Sequence, residues 1–229
     1  NRKFIYVKIK YNIRVGKILM EFAMNQEKIT KLHNKFLIET YTNLDPARLA
    51  DLLEFSKIYN AKFIEKSDKK VREIIGDISL DSDEKNQRID FLVEDVSMMN
   101  DIRIIGEELA IIGLYKTIEI AIKKSMKITG KFSKKQLEEL HKIEKFIEHF
   151  KSINIEVKSI EGFNSFNELR LINNCLKHSG FVSKALMDFN PSLWRKGEKI
   201  DNSAETFSRL LYPSVKFVKG LGNKIILTL

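Results

Sequence analysis

The side chains best suited to chemistry are concentrated in one short stretch, residues 167–180 (NELRLINNCLKHSG). A helix turns about 100° per residue, so most of its polar side chains fall on one arc. They are Arg170, Asn173, Asn174, Lys177 and His178. The charged segment 134–145 (KKQLEELHKIEK) mixes Lys with Glu, whereas this arc carries no acid. Because a helix dipole favours a cation at the C-terminal end, His178 is suited to contacting an anion.

The two asparagines of this arc also need an explanation, because asparagine is a weaker helix former than Lys or Glu. Their presence indicates that something accepts or donates hydrogen bonds there. A structural partner would be neighbouring backbone, for example the loop at 188–201. A functional partner would be a phosphate or a ribose. The residues of the arc leave both interpretations open.

ELRLINNCLKHSG (168–180) resembles the motif helix of the HEPN superfamily, the all-helical domains of prokaryotic toxins, phage-defence proteins and some RNases. IGEELAIIGLYKTIEIAIKKSMK (105–127) is similar to the long central helix of those domains. The resemblance covers about 88–220 and leaves the first 75 residues without a counterpart.

The resemblance implies a metal-independent endoribonuclease in a toxin–antitoxin or phage-defence system, with RNA as substrate and no cofactor. It implies that His178 is the acid/base and that Arg170 holds the phosphate. Asn173, Asn174 and Lys177 would bind or neutralise the phosphate. It also implies a homodimer that brings two copies of His178 together, and an antitoxin or defence protein as a further partner.

The motif departs from the family pattern at two points. Seven residues separate Arg170 from His178 where the family has four to six, and Leu171 follows the arginine where a polar residue is usual. An i, i+8 pair lies about 12 Å apart along a regular helix. The alternative hypothesis is therefore a non-catalytic helical module that binds a protein or nucleic-acid partner. If His178 and the asparagines hold loop 188–201 of their own chain, the nuclease interpretation loses its support.

Composition excludes several other classes of protein. The 229 residues carry a net charge of +9, and residues 1–20 contain six basic side chains and no acid, which is compatible with a polyanionic partner or a solvated basic terminus. The single Cys175 excludes an internal disulfide, and the four histidines do not follow a metal-ligand spacing, although His141 and His149 share a face of one predicted helix. With no apolar span of bilayer length and no recognisable signal peptide, we expect a cytoplasmic protein without a metal site. Phosphate-loop, dinucleotide, hydrolase and metalloprotease motifs are absent from the sequence.

The elements that position the motif are predicted to be helical. The pattern predicts an all-α fold, a bundle around a long central helix at about 88–128. An N-terminal helical hairpin at about 11–75 packs on it, and 4–10 and 153–158 are at most two minor strands. We expect an N-terminal region at 1–75 and an HEPN-like bundle at 88–229, or one continuous domain.

Local signals set the predicted boundaries. Asp45 and Pro46 begin a helix that runs to about 75, followed by a loop at 76–86. Gly130 ends the central helix, and Ser133 with Gln136 caps a helix at 134–151. A second capping box, Ser165 with Glu168, opens the motif helix. The last helix, 203–219, is interrupted at Pro213, and the tail is extended.

Overall fold

The computed structural model describes residues 24–229, which form an all-α fold without a β-strand in that range. The all-α prediction is confirmed. The predicted strand at 4–10 and the acid-free basic segment lie outside the described residues. The α-helices are α1 (24–42), α2 (Pro46–Gly76), α3 (Ser82–Thr129), α4 (Lys134–Glu139), α5 (Ile143–Lys151), α6 (Phe163–His178), α7 (Lys184–Phe189) and α8 (Ser203–Ile226).

Helix α3 is the axis of the molecule, and its 48 residues extend over about 72 Å. Its N-cap is Asp81, whose Oδ1 accepts a hydrogen bond from the Glu84 backbone N–H at 2.8 Å. The predicted loop at 76–86 is therefore shorter, because α3 already begins at Ser82. Gly130 ends the helix in the left-handed conformation, as predicted.

The C-terminal half of α3 is buried in a bundle with α6 and α8. Aromatic side chains fill much of this core. The rings of Phe166 and Phe217 stack with centroids 4.7 Å apart, and Phe146 and Phe150 pack beside them. Helix α1 joins the bundle where the buried Thr42 lies against Gly222 of α8. The core of the protein is thus built around the helix that the sequence places at its centre.

The N-terminal half of α3 packs mainly against α2, and near its end Asp101 and Glu108 also border an opening beside the C-terminal end of α6. We call the segment 46–109 the arm. Large apolar side chains of the arm remain exposed to solvent: Leu52, Phe55, Ile58, Tyr59, Phe91, Val93, Met98, Ile102, Ile105 and Leu109. Five of these side chains, Leu52, Phe55, Tyr59, Ile102 and Leu109, help to line a groove between α2 and α3.

Two predictions for the bundle are wrong. The helix predicted at 134–151 is divided into α4 and α5 at Lys142, and with this break both Leu140 and Phe146 are buried. Segment 153–158, which the pattern allowed as a minor strand, contains no strand and leads into a 3₁₀ turn at Val157–Ser159. Helix α8 continues through Pro213 to Ile226, because its buried face against α3 and α6 outweighs the one hydrogen bond that a proline removes.

The predicted start of the motif helix is also wrong. Helix α6 begins at Phe163, and its N-cap is Gly162 with φ 87°, without a side-chain cap. A Cβ atom at position 162 would lie 2.1 Å from the Pro213 carbonyl oxygen, so this close approach to α8 requires glycine. The side chain of Glu168 therefore does not cap the helix, and it points to other partners in the bundle.

Candidate functional site

Helix α6 places one face in the core and another along an open cleft. Leu169 and Ile172 are fully buried, while Arg170, Asn174 and His178 line the cleft, whose volume is about 530 Å³. The loop between α4 and α5, the start of α5, and Phe181, Val182, Ser183 and Ala185 also line this cleft. Three of the predicted site residues thus share one cleft, since they lie on the same arc of the helix.

Arg170 is the most buried cation of the cleft, with 9% of its surface exposed. Its Nε donates a hydrogen bond to Asn167 Oδ1 at 3.0 Å, and this is its only hydrogen bond within residues 24–229. Burial lowers the pKa of Arg170, and the nearby Tyr115 and Glu144 act in the opposite direction. A guanidinium stays protonated at neutral pH. Its two terminal nitrogens are therefore a cationic donor pair that an anion in the cleft could bind.

His178 is the last residue of α6, and its exposed ring accepts or donates no hydrogen bond within the described part of the chain. Asn174, one turn earlier, is exposed, and its Oδ1 accepts a long hydrogen bond of 3.4 Å from Asn173 Nδ2. Both side chains are therefore free to contact a ligand in the cleft.

The other two predicted residues lie elsewhere. Lys177 lines a second opening, which His178 shares and to which Asp101 and Glu108 of α3 contribute. Asn173 is only 1% exposed, and its buried Oδ1 has no hydrogen-bond partner. The structure thus groups Lys177 with acids of α3 and places Asn173 in the interior.

The long spacing of the motif is preserved in the structure. Helix α6 is regular through His178, so Arg170 and His178 lie about 12 Å apart along its axis. The hydrogen bond to Asn167 directs the Arg170 guanidinium toward the N-terminal end of the helix, away from His178. The two side chains therefore stand at different positions along the cleft.

Loop 188–201 is held by Glu168, a residue that the sequence analysis assigned to a cap. Glu168 Oε1 accepts a hydrogen bond from Trp194 Nε1 at 2.8 Å, and Arg209 of α8 forms two hydrogen bonds with the carboxylate at 2.8 and 2.9 Å. In residues 24–229, no hydrogen bond joins Asn173, Asn174 or His178 to this loop. The structural interpretation, in which the polar arc holds loop 188–201, therefore lacks the hydrogen bonds on which it depended.

His141 is a cleft residue that the sequence analysis did not assign to the site. It lies in the loop between α4 and α5, and its Nδ1 lies 2.7 Å from the Glu138 carbonyl oxygen. His149 is on the next helix, buried, with its Nε2 3.3 Å from Glu139 Oε2, so the two histidines do not share a helix face as predicted. No local sequence signal predicts the break between α4 and α5 that separates the two histidines.

Comparison with protein families, with curated proteins and with solved structures finds no significant match. The fold therefore defines the class at the level of an all-α bundle with a lateral cleft. Within the described residues, no three His, Cys, Asp or Glu side chains form a group that could hold a metal ion. None of the helices described is both long and apolar enough to cross a membrane.

Proposed function

We propose that the protein is an HEPN-like, RNA-acting protein of a toxin–antitoxin or phage-defence system, and that it is a metal-independent endoribonuclease. The observation that carries this proposal is the common cleft of Arg170, Asn174 and His178. A buried arginine with free terminal nitrogens binds phosphate oxygens well, and an exposed histidine can transfer protons. The resemblance of α6 and α3 to the HEPN helices adds to this support.

The separation of Arg170 from His178 refines the proposed mode of binding. An RNA strand that lies along α6 would place one phosphate at Arg170 and the reactive phosphate further along the strand, near His178. Asn174, between them on the cleft face, would donate its amide hydrogens to the ribose or phosphate of the same strand. In this arrangement Arg170 binds and orients the substrate, and His178 is the group that acts on the scissile bond.

The reaction requires a base to remove the ribose 2′-OH proton and an acid to protonate the departing 5′-oxygen. His178, which is exposed and lines the cleft, would be the acid. In the homodimer implied by the resemblance, exposed apolar side chains of the arm would supply a surface for association.

A non-catalytic module is the second candidate, and the arm favours it. The groove between α2 and α3 is lined by Leu52, Phe55, Tyr59, Ile102 and Leu109, a composition suited to an apolar partner surface. On this hypothesis the chain binds RNA or protein without cleaving RNA, and α6 only contributes contacts.

RNA cleavage in the presence of EDTA separates the two candidates. Total RNA and unstructured oligoribonucleotides are incubated with the wild type, with His178→Ala and with the control His33→Ala on α1. We expect the wild type and the control to cleave alike, and His178→Ala to be about 100-fold slower or worse, because a proton-transfer group is lost. Equal rates for the wild type and His178→Ala contradict the catalytic role. Binding without cleavage by the wild type supports the module.

A further inference from the structure

We infer that His141 is the general base of the same cleft, so that one chain supplies both proton-transfer histidines. This inference rests on the proposed ribonuclease function and names a residue outside the α6 motif. His141 and His178 both line one cleft, together with Arg170 and Asn174. A second copy of His178 from a partner chain is then not needed for the chemistry.

The hydrogen bond of His141 determines which ring nitrogen can act. A carbonyl oxygen can only accept, so the Nδ1 of His141 carries the proton that it donates to the Glu138 carbonyl at 2.7 Å. In the neutral ring, Nε2 then holds the free lone pair and is the basic atom. The ring is exposed, and Nε2 has no hydrogen-bond partner among residues 24–229. This is the tautomer and accessibility that a general base requires.

The backbone around His141 keeps this part of the cleft in place. Leu140, the residue before it, is buried, and Phe146 of α5 is packed among the core aromatic rings. Lys142 also lines the cleft and adds a cation beside the histidine. Glu144, on the first turn of α5, lines the same cleft and acts to raise the pKa of Arg170.

The proposed step balances without a metal or a co-reactant. His141 Nε2 takes the proton of the ribose 2′-OH, and the 2′-oxygen forms a bond to the adjacent phosphorus. The bond from phosphorus to the 5′-oxygen breaks, and protonated His178 gives its proton to that oxygen. The products are a 2′,3′-cyclic phosphate and a 5′-hydroxyl, and solvent restores the two protonation states.

Leaving-group substitution tests the two roles separately. The substrate is an oligoribonucleotide that the wild type cleaves, made with either oxygen or sulfur at the 5′-bridging position of the scissile phosphate. A thiolate leaves without protonation, so the sulfur substrate no longer needs the acid. We expect His178→Ala to lose about 100-fold or more on oxygen and to recover most of that rate on sulfur. We expect His141→Ala to lose a similar factor on both substrates, because the base is still needed.

The outcomes distinguish this inference from the proposed function. If the wild type cleaves and His178→Ala is inactive while His141→Ala matches the wild type, the base assignment is overturned and the ribonuclease proposal stands. Recovery of His141→Ala on the sulfur substrate also overturns it. Absence of cleavage by the wild type overturns both. His33→Ala is the matched control, and circular dichroism verifies that the exposed substitutions leave the helices intact.

Discussion

The two halves of α3 both carry many apolar residues, but their environments differ. From Ala110 to Met126 the helix is enclosed by α6 and α8, whereas from Ser82 to Leu109 it packs mainly against α2 and leaves large apolar side chains in solvent. Hydrophobic residues on a helix therefore do not by themselves make a core. Burial requires a second and a third surface, which most of the arm lacks.

This contrast carries over to function. The cleft is built entirely on the enclosed side, where α6 is fixed by its packing on α3 and α8. A rigid support of this kind is what positioned polar groups need, because small displacements reduce catalysis strongly. The arm offers mainly apolar area, which suits association better than chemistry.

The largest expected difference between the bundle and the arm is the contribution of one aromatic side chain to the free energy of unfolding. Phe217 is fully buried among Phe146, Phe163 and Phe166, whereas Phe55 on the arm is 76% exposed. Phe217→Ala should lower the free energy of unfolding by about 3–5 kcal/mol, and Phe55→Ala should change it by less than about 0.5 kcal/mol. Urea denaturation measures both. A large loss for Phe55→Ala that grows with protein concentration would show that the arm is buried in an assembly.

The next largest effect is an alkaline pH dependence in the enclosed half. Burial raises the pKa of Tyr115 from 10.0 to about 12, with a further contribution from the Glu119 carboxylate. Between these values the unfolded chain loses the phenolic proton and the folded chain keeps it. The contribution is therefore complete below pH 10, and by pH 12 the free energy of unfolding has fallen by about 2–3 kcal/mol.

Tyr115→Phe should remove this part of the alkaline decline, which is measured by urea denaturation at a series of pH values from 9 to 12. Tyr59→Phe is the matched control, because Tyr59 lies exposed on the arm. A decline of the same size in Tyr115→Phe and in the wild type would contradict the assignment.

The smallest expected effect is the loss of a helix cap, and it should be the same in the arm and in the bundle. Asp81 caps α3 in the arm through the Glu84 N–H, and Ser133 caps α4 in the bundle through the Gln136 N–H. Because a cap acts on the adjacent backbone, Asp81→Ala and Ser133→Ala should each lower the free energy of unfolding by about 1 kcal/mol. Thermal or urea unfolding measures the two values. A loss several times larger in either half would mean that the capping residue has partners beyond its own helix.

Caps are also where sequence reasoning succeeded. Asp45 with Pro46, Gly130, and Ser133 with Gln136 mark helix ends as predicted, because each signal depends on residues within one turn. The same local rule failed for Ser165 and Glu168. Glu168 bonds to Trp194 and Arg209, which lie 26 and 41 residues away along the chain. The predicted interruption of the last helix at Pro213 is wrong for a related reason, because tertiary packing keeps α8 continuous.

The candidate site was also predictable only in part from local sequence patterns. The helical period was sufficient to place Arg170, Asn174 and His178 on one side of α6, and they do line one cleft. The period could not show that Asn173, on the edge of that arc, would be covered by the bundle. The period also could not show that His141 would line the same cleft. That position depends on a break between α4 and α5, which the charge pattern of 134–151 does not indicate.

The hydrogen bond between Trp194 and Glu168 has a spectroscopic consequence. The chain contains one tryptophan, and its indole N–H is fixed to a carboxylate on the same helix that carries Arg170, Asn174 and His178. Indole emission is sensitive to nearby charge and to exposure, so the intrinsic fluorescence of the whole protein originates beside α6. Binding of an oligonucleotide along this helix can therefore be followed by light emitted from the native chain, without any attached dye.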